Sequence, residues 1–130
     1  MDAVQIKIKH CIDNEMTTLN LSSMCLNELP NNLSSSLQSL YCSENKITKL
    51  PDNLPATLEN LSCCDNQLTQ LPKNLPDSLD MLLCSYNKYL HIPKKYVEQL
   101  GLNETPNYNQ KARMIQRMWR IKKCQYVMII

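Results

Sequence analysis

The feature that most constrains the fold is an internal repeat with a period of 21 residues. When residues 40–60 are written above residues 61–81, apolar residues coincide at every core position. Both lines fit the pattern L-x-C-x-x-N-x-[IL]-x-x-L-P-x-N-L-P-x-[ST]-L. Self-similarity at a fixed period of this size is the signature of a solenoid, in which each unit buries its apolar side chains against its neighbours.

Each part of the unit has a physical reason. The opening L-x-C alternates, which predicts a short strand with leucine and cysteine on its buried side, and successive strands stack about 4.8 Å apart in a parallel sheet. Asn45 and Asn66 follow the strand, where an asparagine side chain can bond backbone groups that have lost their ladder partners. The paired prolines, such as Pro51 and Pro55, exclude a helix and predict an extended return limb tethered inward by leucines such as Leu54.

Two further copies of the unit flank the central pair. Residues 19–39 form a degenerate first unit, in which Met24 replaces the turn asparagine. Residues 82–102 form a fourth unit that has lost its second proline, and its limb carries apolar residues at helical spacing. This spacing predicts a short helix that closes the stack. The apolar residues are Tyr96, Val97 and Leu100.

Residues 1–18 do not fit the repeat. Val4, Ile6 and Ile8 alternate with polar residues, which predicts a strand. We interpret the segment as a cap over the open end of the stack, because terminal repeats of a solenoid must shield its core. The predicted organisation is an N-terminal cap, four repeats and a C-terminal basic amphipathic helix. Their bounds are 1–18, 19–102 (19–39, 40–60, 61–81 and 82–102) and 103–130.

The repeat resembles the short leucine-rich repeats. Its L-P-x-N-L-P limb is similar to the subclass found in secreted effectors of bacterial pathogens and in small repeat proteins of giant amoeba-infecting viruses. The resemblance implies an α/β leucine-rich-repeat solenoid, with a parallel β-sheet on the concave face and extended limbs on the convex face. It also implies a role in binding a protein partner rather than in catalysis.

The outward-facing strand residues are the first candidates for partner binding. They are mostly small and uncharged, and the larger ones are Tyr41, Cys64, Met81 and Leu83. The alternative is an ordinary solvated sheet surface. Four such short strands present on the order of 200–300 Å², whereas a standard interface needs about 800 Å² per partner. A partner would therefore have to contact the flanks as well.

The cysteines point to a reducing compartment. Of the seven cysteines, Cys42, Cys63 and Cys84 recur at the repeat period and act as small buried hydrophobic residues. The N-terminus lacks the apolar run of a signal peptide, so we expect an intracellular protein, in the cytoplasm or the cytoplasm of a host cell. The cysteine column lies on one line, which does not readily surround a zinc ion tetrahedrally. We expect no metal, no cofactor and no transmembrane segment.

The last part of the chain has a different charge. All 12 acidic residues lie at or before Glu104, so residues 1–110 carry 8 − 12 = −4 and residues 111–130 carry +6. Ala112, Ile115 and Trp119 lie at helical spacing, which predicts an apolar stripe on a basic helix. This pattern is typical of calmodulin targets and of membrane-surface helices.

Part of this helix resembles the IQ motif that calmodulin and related light chains bind. Ile115, Gln116 and Arg120 match the first half of the motif, while Ile121 and Gln125 depart from the second half. The candidate partner-binding residues here are Ile115, Gln116, Trp119 and Arg120. Three alternatives remain open: the segment folds back and caps the solenoid, binds a calmodulin-type protein, or contacts an anionic membrane or nucleic acid. No motif for specific nucleic-acid recognition is present.

No catalytic pattern occurs in the sequence. It has no glycine-rich phosphate loop and no H-E-x-x-H motif, and no serine or cysteine stands with a histidine and an acid in a plausible context. We therefore expect a non-enzymatic protein. Two hypotheses follow: an interaction module that presents a basic helix to an unidentified protein partner, or a purely structural, truncated repeat protein whose helix only caps the solenoid.

Overall fold

A computed structural model describes residues 1–88 and 90–100 of the chain. The described residues form two helices and four strands. These are α1 (Ala3–Asp13), β1 (Thr18–Asn20), β2 (Ser39–Tyr41), β3 (Asn60–Ser62), β4 (Met81–Leu83) and α2 (Lys94–Leu100). The described residues divide into two units, one that ends at His91 and one that begins at Ile92, and α2 belongs to the second. No helix of the described residues is long and apolar enough to cross a membrane.

The strands form one parallel sheet in the order β1-β2-β3-β4. Leu19 lies opposite Leu40, Leu40 opposite Leu61, and Leu61 opposite Leu82. Each neighbouring strand is therefore displaced by the 21-residue period of the sequence. The predicted parallel sheet of a solenoid is confirmed.

The core consists of columns of leucine, isoleucine and cysteine that repeat from unit to unit. Leu40 and Leu61 of the strands are fully buried, and so are Cys42 and Cys63 two residues later. In the limbs, described for residues 50–58 and 71–79, the leucines point inward and the chain makes turns without helix. The second proline of each limb opens one of these turns. Leu58 N–H donates to the Pro55 carbonyl at 3.0 Å, and Leu79 N–H donates to the Pro76 carbonyl at 3.0 Å.

The predicted N-terminal strand is wrong, because residues Ala3–Asp13 form α1. Its buried residues are Val4, Ile8 and Cys11, which lie four and three positions apart on one helix face. Ile6, which a strand would place beside Val4 and Ile8, is 55% exposed. Asp2 caps the helix by accepting a 2.8 Å hydrogen bond from Gln5 N–H.

Helix α1 contacts strand β1 at the first edge of the sheet. Lys7 Nζ donates to the Asn20 carbonyl at 3.0 Å, so an α1 side chain bonds a backbone oxygen of this edge strand. Pairing of edge-strand backbone groups reduces the risk of edge-to-edge association. This position agrees with a terminal cap, although the boundary at residue 18 and the division into 19–102 and 103–130 stay predictions.

In the second unit, Lys94–Leu100 is helical, as the apolar spacing predicts. Tyr96 is buried, and its N–H donates to the Pro93 carbonyl at 2.9 Å in the first turn. The predicted basic helix, with Ile115, Gln116, Trp119 and Arg120, lies outside the described residues.

Candidate interaction surface

The strand side chains opposite the buried leucines form one surface, which we name the outer sheet face. Its strand residues are Ser39 and Tyr41, Asn60 and Ser62, and Met81 and Leu83. Successive pairs lie in register along the stack. The structure therefore brings the predicted residues Tyr41, Met81 and Leu83 together on one face, because alternate residues of a strand point to the same side.

Polar groups on the outer sheet face, together with Ser43 just after β2, bond one another across neighbouring repeats. Asn60 Nδ2 donates to Ser39 Oγ at 3.1 Å. The hydroxyls of Ser43 and Ser62 lie 2.9 Å apart and share a hydrogen bond. Each pair is about one repeat apart in sequence, so the contacts fix the spacing of the side chains and give the surface a defined shape.

The predicted contact residues offer little free surface. Tyr41 is 7% exposed, Met81 5% and Leu83 4%, while Cys64 is half-buried. For Tyr41 the exposed remainder is on the order of 15 Å², since an aromatic side chain covers roughly 150–250 Å². At about 25 cal/mol per Å², its burial by a partner would contribute less than about 0.5 kcal/mol. Large apolar contacts at these three residues are therefore not available in this structure.

Acidic residues stand on both sides of the outer sheet face, and we name these flanking columns the rim. Glu59 and Asp80 precede β3 and β4, while Glu44 and Asp65 follow the carboxyl ends of β2 and β3. All four are exposed. Ser23 Oγ donates to Glu44 Oε2 at 2.7 Å, which connects the rims of the first two repeats. Any partner that lies across the sheet meets negative charge at both edges.

The backbone of the rim has a conformation that the sequence did not reveal. The equivalent residue of each repeat has positive φ: Ser23 (57°), Glu44 (57°), Asp65 (52°) and Tyr86 (60°). In the first repeat Cys25 (56°) has positive φ as well. The N–H groups of Glu44 and Asp65 donate to the Cys64 and Ser85 carbonyls of the next repeat at 3.0 and 2.9 Å. Left-handed backbone is adopted most readily by glycine and next by asparagine and aspartate, and Asp65 is the residue of this column with such a preference. Ser23, Glu44 and Tyr86 have no such preference, so the sequence carries only a weak signal for this conformation.

Behind the rim, a column of asparagines holds consecutive repeats together. Asn66 Nδ2 donates to the carbonyls of Cys42, Cys63 and Cys64 at 3.0, 3.2 and 3.2 Å. Its Oδ1 accepts from Ile47 N–H at 3.0 Å. The equivalent Asn45 and Asn87 make the same kinds of bond. All three asparagines are buried, and the column begins at Asn45, as the loss of the asparagine at Met24 predicts.

A second column of polar side chains joins the limbs on the other side of the molecule. Thr57 Oγ1 lies 2.8 Å from both the Ser35 and the Leu37 carbonyls of the previous repeat. Ser78 Oγ is placed in the same way, 2.7 Å from the Ala56 and Leu58 carbonyls. The serine or threonine of the repeat pattern thus has a structural role. Its partners lie about one repeat earlier in the chain, so the pattern alone could not identify them.

The cysteine column is a structural element rather than a reactive one. The thiols of Cys42 and Cys63 donate to the Ser62 and Leu83 carbonyls, each at 3.4 Å. Burial, with a smaller contribution from Cys64, raises the pKa of Cys42 to about 12. Burial also raises the pKa of Cys63 well above its ordinary value. Both thiols are therefore protonated at neutral pH, whereas a nucleophile or a metal ligand must be a thiolate.

The described residues offer no evident metal site. Among residues 1–88 and 90–100, no group of three or more histidine, cysteine, aspartate or glutamate side chains is arranged to hold a metal ion. The six cysteines of this part of the chain form no disulfide bond.

Comparison with known proteins gives the fold a name. No protein-family model and no curated protein matches the sequence. The leucine-rich-repeat domain of a Shigella effector is similar in structure, with a TM-score of 0.65 and 34% identity, over 69% of this chain and 40% of that chain. YopM, a leucine-rich effector protein from Yersinia pestis, has a TM-score of 0.62 and 34% identity, over 68% of this chain and 24% of that chain.

The chain has the leucine-rich-repeat fold. Its structural neighbours are leucine-rich-repeat domains of bacterial effectors, and the chain spans less than half of each neighbour's length. The α/β solenoid predicted from the 21-residue repeat is confirmed. Folds of this class generally serve as interaction scaffolds, since stacked repeats create an extended binding surface.

Proposed function

We propose that this leucine-rich-repeat chain is a non-enzymatic protein-interaction module. One observation carries the proposal: the outward side chains of the sheet recur once per repeat, in register from strand to strand. The buried asparagine column holds the repeats in this register. A surface with so many internal bonds loses little conformational freedom on binding, which favours association. Similarity to effector leucine-rich-repeat domains supports the same conclusion.

The low exposure of Tyr41, Met81 and Leu83 bears on how a partner would bind. A partner would gain little binding free energy by covering these three side chains. We therefore propose that most contacts come from the exposed rim and from half-buried residues such as Ser43 and Cys64. Because the exposed side chains at the rim include carboxylates, binding is expected to weaken as salt concentration rises.

A crosslinking experiment tests the proposed surface. A photo-crosslinking amino acid replaces Gln38, an exposed rim residue before β2, or Asn53, an exposed residue of the limb, in the full-length protein. After irradiation in cell extract, we expect a discrete adduct from position 38 that weakens in the Glu59→Gln background and is missing from position 53. Equal adducts from both positions, or none from position 38, would overturn the proposal.

We further propose that residues 103–130 present a basic amphipathic helix to a partner. The support is the charge of +6 in residues 111–130 and the partial IQ pattern at Ile115, Gln116 and Arg120. Calmodulin is the partner that this pattern suggests, and an anionic membrane is a second candidate. The competing proposal is that the helix only caps the solenoid of a structural or truncated repeat protein.

A pull-down with calmodulin, with and without calcium, separates these proposals. Binding that is lost in Ile115→Asp, while circular dichroism remains unchanged, supports the partner helix. Failure to bind under either condition, together with the blue-shifted fluorescence of a buried Trp119, supports the cap. Binding to anionic but not to neutral vesicles, again lost in Ile115→Asp, supports the membrane.

The cellular setting is also a proposal. We propose an intracellular, reducing compartment, such as the cytoplasm or that of a host cell, and a chain of the bacterial-effector or giant-virus repeat subclass. The lack of disulfide bonds among the six cysteines of the described residues supports the first part. The effector neighbours support the second. Detection of disulfide-linked forms of the protein isolated from its native cells would contradict the reducing compartment.

A further inference from the structure

We draw no further inference here: the strongest candidate, the column of exposed carboxylates that Glu44 and Asp65 form beyond the carboxyl ends of β2 and β3, is an acidic cluster beside which no other observation among the described residues points to a ligand.

Discussion

Replacement of Asn66 by alanine should destabilise the solenoid more than most single substitutions. The side chain bonds four backbone groups: its two amide hydrogens are shared among three carbonyls, and its Oδ1 accepts from Ile47 N–H. Its removal leaves Ile47 N–H without its acceptor, at about 1–2 kcal/mol. Each carbonyl keeps a second donor, which is Asn45 Nδ2 for Cys42, Asn87 Nδ2 for Cys63 and Glu44 N–H for Cys64. Loss of the two amide N–H donors therefore costs only about 1 kcal/mol each. Two of the carbonyls belong to Cys63 and Cys64 of the same repeat, and the third belongs to Cys42 of the previous one. We therefore expect the free energy of unfolding to fall by about 3–4 kcal/mol.

Urea denaturation followed by circular dichroism measures this loss. The matched control is Asn53→Ala, because Asn53 is also an asparagine of the repeat pattern but is exposed on the limb. The control should stay within about 0.5 kcal/mol of the wild-type protein. Loss of less than about 1 kcal/mol in Asn66→Ala would refute the view that this column holds the repeats together.

Asn66→Asp gives a sharper test, because it keeps the shape of the side chain. An oxygen replaces the amide nitrogen that faces three carbonyl oxygens, so at neutral pH the variant should be less stable than Asn66→Ala. Burial and the carbonyl dipoles raise the folded-state pKa of the new carboxyl above its unfolded value of about 4. Relative to the wild type, the stability of this variant is therefore greatest below pH about 4 and falls as pH rises through the folded-state pKa. A variant as stable as the wild type at pH 7 would refute the assigned bonding.

Three further predictions concern other repeat columns. Thr57→Val should lower the free energy of unfolding by about 1–2 kcal/mol, because two carbonyls lose a shared hydroxyl donor. The exposed control Thr69→Val should change the free energy of unfolding little, and equal losses in urea denaturation would argue against the limb contacts. Tyr86→Asn should raise the midpoint of thermal unfolding, because asparagine relieves a left-handed backbone strain of about 1 kcal/mol at φ 60°. Ser85→Asn should not raise it, because Ser85 is not among the residues with positive φ. A lower midpoint for Tyr86→Asn would contradict the strain. The pKa of the Cys42 thiol rises on folding from 9.0 to about 12, so its contribution to stability is complete below pH 9 and is lost as pH rises toward 12. At pH 10.5 the wild-type protein has lost about 2 kcal/mol of stability through this thiol. Urea titrations should therefore give a stability difference between the wild type and Cys42→Ala that is smaller by this amount at pH 10.5 than at pH 8. An unchanged difference would count against burial of the thiol.

Much of the fold could be predicted because a repeat carries its register in the sequence. Leu40 and Leu61 occupy equivalent positions, and stacking equivalent positions is the arrangement that buries both, so the strand pairing follows from the period. The same reasoning located the start of the asparagine column at Asn45. Outside the repeat this constraint is lost. Val4, Ile6 and Ile8 fit either a strand or a helix over so short a segment, and packing of α1 beside β1 decided for the helix.

The candidate surface was predicted less well than the fold. Alternation correctly placed Tyr41, Met81 and Leu83 on one face, but it could not say how much of each remains accessible. Exposure depends on neighbours that are distant in sequence, as the bond between Asn60 and Ser39 across two repeats illustrates. The backbone conformation of Glu44 and Asp65 was also not predicted, because one aspartate in the column is too weak a signal for a left-handed conformation in every repeat.

The sequence alone determined the period, the buried columns and the direction of the chain in each unit, since these follow from local spacing and from the need to bury apolar side chains. Only the tertiary structure decided the helical state of residues 3–13, the partners of the Thr57 and Ser78 hydroxyls, and the low exposure of the outer sheet face. Each of these depends on contacts between residues that are brought together by stacking. These contacts form only when neighbouring repeats are packed against each other at fixed distances.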